Sequence, residues 1–198
     1  MLLRQEVDLA WFYPPGTYIA TWFSFQKEYF PSSGVSGNIY FSNTSLPEEL
    51  DKIEDLVFDL KNSKTIQDVF SWTTDYKTFI YNNKLVDPDV SIASLNQSTF
   101  RKTLTRFLFS PAGALYRDAF RFKLDIECGI EAPEILLFTL SYTHKLLSGP
   151  EEHVPAMNAV KDSIAVSNVS GRVFPLASDY VDWETDEVLE GEVNRNYW

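Results

Sequence analysis

The segment FRFKLDIEC, residues 120–128, alternates apolar and charged side chains with a period of two. One face of this pattern collects five apolar side chains: Phe120, Phe122, Leu124, Ile126 and Cys128. A strand with one buried and one solvated face is typical of antiparallel sheets. A turn signal at 129–133 precedes EILLFTLSYTH, which predicts the returning partner strand. The chain is therefore expected to build an antiparallel sheet, with Cys128 as a buried core thiol.

Helical patterns interleave with further short strands. Ser45 and Glu48 form a capping box ahead of an amphipathic helix, and Ser98 and Pro150 are expected to begin two more helices. The predicted order is β–α–β, two inserted helices, then β–β–α–β. This order predicts an α+β two-layer sandwich, with helices on one face of a mainly antiparallel sheet. Strands near 38–42, 118–127, 135–142 and 172–176 are expected to share that sheet.

Residues 11–30 hold nine aromatic side chains. After a Pro-Pro-Gly break, Tyr18, Trp22, Phe25 and Tyr29 follow the spacing of one helical face. Such a helix either packs on the core of its own domain or lies at a membrane edge, where Trp and Tyr are favoured. Both interpretations remain open from the pattern alone.

Composition disfavours several classes of function. The 198 residues suit one domain, and the net charge of −11 would repel nucleic-acid phosphates and anionic lipid headgroups. Cys128 has no second cysteine with which to form a disulfide, and His144 and His153 are the only histidines that could bind a metal beside it. The sequence has none of the glycine-rich, nucleophile-elbow or HExxH motifs of common enzymes. We therefore assign no catalytic, cofactor-binding or metal-binding residue, and expect both histidines to lie in ordinary packing or surface positions.

The acidic segment 179–187 is open to two interpretations. If it is helical, Asp179, Asp182 and Asp186 share one face, where three carboxylates could bind Ca²⁺ or Mg²⁺ or supply an acid–base pair. An enzyme would use Asp179, Asp182 or Glu184 with a divalent cation. The simpler interpretation is a solvated helix face, because Tyr180, Trp183 and Leu189 make a competing apolar side. The first interpretation gives an alternative function, an acidic enzyme or cation-binding protein; a free-standing binding module is another.

Three N-glycosylation sequons begin at Asn43, Asn96 and Asn168. Ten asparagines would give roughly one or two sequons by chance, so three give weak support for a luminal or extracellular setting. Asn43 and Asn96 fall in predicted loops, where a glycan can be accommodated.

Four segments, in order along the chain, carry a resemblance to a known family. They are DLAWFYPPGTYIATWFSFQKEYFPSSGVSGNIYF, VFSWTTDYKTFI, FRKTLTRFLFSPAGALYRDAFRF and GRVFPLASDYVDWETDEVL. Together they resemble the large ectodomains of the Patched, Dispatched and Niemann–Pick C group of resistance-nodulation-division (RND) transporters. The sequence departs from that family in having one cysteine, ETD in place of EQY, and PLAS in place of PYS.

This resemblance implies a ferredoxin-like, non-enzymatic domain on the extracellular or luminal side of a membrane. Its partners would be the membrane, reached through transmembrane helices absent from this chain, the other ectodomain of the same parent protein, and a hydrophobic ligand or lipidated protein. Sterols and lipids are the cargo that the family implies; nucleic acid is not expected.

The resemblance also implies a division of the chain. Residues 1–34 would form an aromatic juxtamembrane helix and linker, 35–177 the ferredoxin-like domain, and 178–198 an exit segment leading toward a transmembrane helix. Five aromatic side chains are expected at the membrane interface: Trp11, Tyr18, Trp22, Phe25 and Trp183.

Overall fold

The computed structural model describes residues 13–29, 34–87, 89–147 and 149–196. Its helices and strands, in chain order, are α1 (Tyr18–Tyr29), β1 (Ser36–Ser42), α2 (Leu50–Asn62), β2 (Ile66–Phe70), α3 (Trp72–Asn82), α4 (Gln97–Leu108), β3 (Phe120–Phe122), β4 (Ile135–His144), α5 (Pro150–Ser167), β5 (Arg172–Ala177) and α6 (Tyr180–Asn196). Short 3₁₀ turns occupy Ile92–Ser94 and Ala114–Ala119. The α+β class and the predicted order of elements from β1 to β5 are confirmed.

All five strands form one antiparallel sheet, with the order β2-β4-β1-β5 and β3 paired to the first half of β4. Because β1 and β2 both pair antiparallel with β4, they run parallel to each other on either side of it. In the same way β4 and β5 run parallel on either side of β1. Helices α2 and α5 make the two crossovers, so two split β-α-β units interleave.

The two ends of the sheet hold different parts of the chain. We call one the Ala177 end, because β1 begins and β5 ends there, with Gly37 paired to Ala177. At that end β2 begins and β4 stops, since Ile66 pairs with His144. The opposite end, where Ser42 pairs with Arg172, is the Arg172 end. The segments that join α1 and α6 to the sheet therefore attach at the Ala177 end.

One face of the sheet carries the core. Phe41 on β1 stacks on Phe138 on β4, with ring centroids 4.6 Å apart and planes nearly parallel. Trp72, at the start of α3, lies against Phe138 and Phe120 and is fully buried. Helices α2, α4 and α5 contribute to this core the apolar positions that their spacing predicts, which are Leu50, Ile53, Leu56, Val57, Leu60, Phe100, Leu104, Phe107, Leu108, Val154, Met157 and Val160.

The strand predicted at 118–127 is shorter in the structure, and the prediction for Cys128 was wrong. β3 ends at Phe122 because its partner β4 begins only at Ile135, beside an irregularity in register. Beyond it the chain makes turns, and Leu124 and Cys128 are exposed. The alternation of residues 120–128 therefore reflects local strand propensity without a partner strand to cover its second half.

Two helix starts also differ from the sequence prediction. The Ser45 hydroxyl does contact Glu48, but these residues belong to a turn that precedes α2, which begins only at Leu50. Helix α4 is capped by Asn96, whose Oδ1 accepts from the Thr99 backbone N–H at 2.8 Å. Ser98 lies inside the first turn and donates to Glu131 instead. An Asn cap two residues earlier competes well with Ser.

Truncation of Phe138 to alanine is expected to remove about 3–5 kcal/mol from the free energy of unfolding, because it opens a cavity between β4, β1 and α3. Phe58→Ala is the matched control, since Phe58 lies on α2 with 67% of its surface exposed. That control should stay within about 0.5 kcal/mol of the parent protein. Urea unfolding of the three proteins measures both values. Equal losses in the two variants would contradict the assigned core.

Candidate functional site

Three of the predicted interface aromatics lie on α1, where nearly every side chain whose burial is described is exposed. Tyr18 and Phe25 are 84% and 53% exposed, and Trp22 and Tyr29 are also exposed. Trp11 falls outside the described residues. Within α1 the Phe25 and Tyr29 rings meet edge to face, 5.8 Å apart. These four rings are exposed along α1, as are its polar side chains Thr21, Ser24 and Glu28, so the interpretation in which it packs on the core of its own domain does not hold for these side chains.

Trp183 lies in the core, in contrast to its expected place at a membrane interface. It is 3% exposed, and its indole stacks on the His153 ring at 4.7 Å. Tyr180, one turn earlier in α6, is equally buried. The apolar side of this helix packs against α5 and the Ala177 end of the sheet, which explains why neither ring faces solvent.

His144 forms the polar centre of this contact. Its side chain is fully buried at the end of β4, with Nε2 2.9 Å from the Tyr180 hydroxyl. Tyr142 donates to the Tyr180 oxygen at 2.7 Å, so Tyr180 can donate its own proton to a neutral imidazole. Burial lowers the pKa of His144 and raises that of Tyr142 to about 12. The neutral forms of all three groups therefore hold α6 on the sheet.

A glycine makes room for this network. Gly37 on β1 lies directly opposite Tyr142, and a side-chain Cβ there would stand 2.6 Å from the Tyr142 ring. The phenol can therefore lie across β1 and reach Tyr180. No sequence pattern predicted this cluster, because its members come from β4 and α6 and share no motif.

The acidic segment has a packing role in this structure. Glu184 pairs with Lys161 at 2.8 Å, and Glu187 accepts from Asn158 at 2.8 Å, so both carboxylates join α6 to α5. Asp182 points to solvent, and Asp179 accepts from the neighbouring Ser178 hydroxyl. Within the described ranges, no three His, Cys, Asp or Glu side chains come together as a metal site. The structure therefore does not assemble the cation site considered for this segment.

The face of the sheet opposite the core carries a groove of about 370 Å³. Tyr40, Thr139 and Ser141 line its floor, and the 3₁₀ turn at Ala114–Ala119 supplies a wall. Phe70 stacks on Tyr116 at one side, with ring centroids 4.7 Å apart. These residues combine flat aromatic surfaces with hydroxyl groups, which suits an amphipathic ligand.

Two charged side chains lie at the rim of this groove. Arg121 donates to the backbone oxygens of Asp118 and Phe120, and Asp118 is exposed beside it. On the floor the Ser141 hydroxyl donates to Asn38 at 2.7 Å. The sequence did not predict this groove either. The sequence predicted strands near 38–42 and 135–142, but gave no indication that the turn at Ala114–Ala119 lies beside them.

The three sequon asparagines are exposed. Asn43 follows β1, Asn96 caps α4, and Asn168 follows α5. No helix in the described part of the chain combines the length and the apolar character needed to cross a membrane. Neither a scan of protein-family models nor a search of curated proteins finds a match to this sequence.

Acidification is expected to weaken the contact between α6 and the sheet. An unfolded chain binds a proton at His144 near pH 6.5, whereas burial lowers the pKa of His144 in the folded state. The stability contribution is therefore complete above pH 6.5 and is lost as the pH falls through the folded pKa, by at most about 1.4 kcal/mol per pH unit.

Urea unfolding at pH 7.5, 6.5 and 5.5 tests this expectation. His144→Gln should lose less stability between pH 7.5 and 5.5 than the parent protein. Phe58→Ala, at an exposed position on α2, changes no ionisable group and should keep the parent profile. Identical profiles for the parent and His144→Gln would show that His144 does not carry this pH dependence.

Proposed function

We propose that this chain is a non-enzymatic extracytoplasmic domain of a Patched-like RND transporter, seated on a membrane surface and handling a hydrophobic ligand or a lipidated protein. The observation that carries the proposal is the aromatic stripe of α1, with Tyr18, Trp22, Phe25 and Tyr29 exposed. Trp and Tyr are the side chains that bilayer interfaces favour, since their rings are apolar and their tips polar.

The topology of the sheet supports the same proposal. The order β2-β4-β1-β5 with two split β-α-β units is compatible with the ferredoxin-like arrangement that the resemblance implies. The segments leading to α1 and α6 join the sheet at its Ala177 end, beside the paired residues Gly37 and Ala177. A domain inserted between two membrane segments needs both of its connections on one side. In this proposal the Ala177 end faces the bilayer.

The groove supports the part of the proposal that concerns a ligand. Tyr40 and Phe70 offer aromatic surface, while Asn38, Thr139 and Ser141 offer hydrogen-bonding groups beside it. A sterol or a lipid-modified ligand combines a large apolar body with one polar group, which matches this mixture. The same groove favours a second candidate, a binding module that has no membrane neighbour. The two candidates differ in whether the chain associates with vesicles.

We expect the chain to bind neutral phosphatidylcholine vesicles through α1. The double variant Tyr18→Ser, Phe25→Ser removes two exposed rings and should weaken binding by roughly tenfold or more. Phe58→Ser removes an equally exposed ring from α2 and should leave binding unchanged. Because the chain carries a net charge of −11, adding anionic lipid should weaken binding as well.

Co-sedimentation with vesicles of the two compositions measures these affinities. Absence of binding by the parent protein, or an equal loss in the Phe58→Ser control, would contradict membrane seating through α1. The first outcome would favour the free binding module.

A further inference from the structure

The three sequons, which are far apart in the sequence, meet at one end of the fold. Asn43 directly follows Ser42, the last residue of β1, and Ser42 pairs with Arg172 at the Arg172 end. Asn168 follows α5 and precedes β5, whose first residue is Arg172. The backbone of Gly171 lies against the carbonyl groups of Ser42 and Asn43, which brings these two sequons together.

The turn and helix start at residues 45–52 connect all three sequons. The Lys52 ammonium donates to the backbone oxygen of Asn168 at 3.2 Å and pairs with Glu49 at 2.9 Å. Glu49 in turn accepts from the backbone N–H of Ser170 at 3.3 Å. These contacts hold the third sequon against the segment that begins just after the first one.

The second sequon reaches the same segment. Gln97, its middle residue, donates to the Leu46 carbonyl oxygen and lies 3.3 Å from a Glu48 carboxylate oxygen. Asn96 therefore also lies at the Arg172 end. The three asparagines are separated by 53 and 72 residues in the sequence, yet all three sequons lie beside residues 45–52.

Each acceptor side chain is available to a bulky group. All three asparagines are exposed. Asn43 and Asn168 occupy left-handed turns, with φ of 56° and 49°, a conformation that Asn tolerates better than most residues. Asn96 uses its carbonyl oxygen to cap α4, whereas a glycan is attached to the amide nitrogen. The cap and the modification therefore do not compete.

We propose that Asn43, Asn96 and Asn168 are N-glycosylated together and form a glycan cap over the Arg172 end, which leaves the Ala177 end and the groove uncovered. In the reaction, the amide nitrogen of each asparagine displaces the diphosphate of a lipid-linked oligosaccharide. A C–N bond forms at the anomeric carbon, the C–O bond breaks so that the lipid diphosphate leaves, and the proton released from the nitrogen passes to solvent. This proposal rests on the extracytoplasmic location given in the proposed function. It also assigns the orientation of the domain, with the glycans pointing away from the bilayer.

The test expresses the full chain behind a cleavable secretion signal in a cell line that glycosylates proteins. Peptide mapping after enzymatic deglycosylation gives the occupancy of each site. Each of three variants, Asn43→Gln, Asn96→Gln and Asn168→Gln, is expected to lower the apparent mass on a gel by that of one glycan. Lys64→Thr is the matched control, because it completes a fourth sequon at the exposed Asn62, near the Ala177 end.

Binding to neutral phosphatidylcholine vesicles then compares the effect of glycans at the Arg172 end with that of a glycan near the Ala177 end. The three native glycans should leave binding unchanged relative to the enzymatically deglycosylated chain. A glycan at Asn62 should weaken it by roughly tenfold or more, because a bulky polar chain would stand between the Ala177 end and the bilayer.

Two outcomes would overturn the glycan cap. One is a secreted chain with an occupied Asn62 control site but with one or more native sequons unmodified. The other is a native glycan that blocks vesicle binding as strongly as the glycan at Asn62. If the deglycosylated parent chain does not bind vesicles, the proposed membrane seating fails, while the occupancy of the three sites still supports or overturns the glycan cap independently.

Discussion

The stacking of Phe41 on Phe138 joins the two central strands, and the rest of the fold is arranged around that contact. β1 and β4 are the only strands in the described sheet with a partner on both sides. Helix α2 follows β1 and α5 follows β4, and because such crossovers are right-handed both helices lie on the same face, in contact with each other. The remaining helices depend on that choice of face: α3 presents Trp72 to Phe138, and α6 presents Tyr180 and Trp183 to the end of β4. The opposite face stays open and carries the groove.

The sequence predicted the parts of this fold that depend on local periodicity. The bounds of α5 and the buried stripe of α2 follow from spacing and Pro150 alone, since both helices pack one face on a broad core. Prediction was wrong where a residue's environment depends on a distant partner. Cys128 sits on an alternating pattern that lacks a second strand, and Trp183 sits on a helix that folds back on α5. The buried cluster of Tyr142, His144 and Tyr180 and the open-face groove were not foreseen, because each combines elements that are separated by dozens of residues.

The proposals on function follow from an asymmetry between the two ends of the sheet. The Ala177 end collects the connections to α1 and α6, together with the neutral His144 network that holds α6 in place. The Arg172 end collects the three sequons around one ion-paired turn. Between them, the groove lies on a face that neither the helices nor the sequons cover. Membrane seating, ligand handling and glycosylation would then use three separate surfaces, so each can be altered without the others.

Energy transfer from the domain to a labelled bilayer tests the orientation most directly. With Cys128 replaced by serine, a single cysteine at Lys64 or at Ser170 carries a dye near the Ala177 end or the Arg172 end, respectively. The two ends lie about 20 Å apart along seven-residue β1, at roughly 3.3 Å per residue. On neutral vesicles containing an acceptor lipid, we expect clearly stronger transfer from residue 64 than from residue 170. Equal transfer from both positions, or stronger transfer from residue 170, would contradict it.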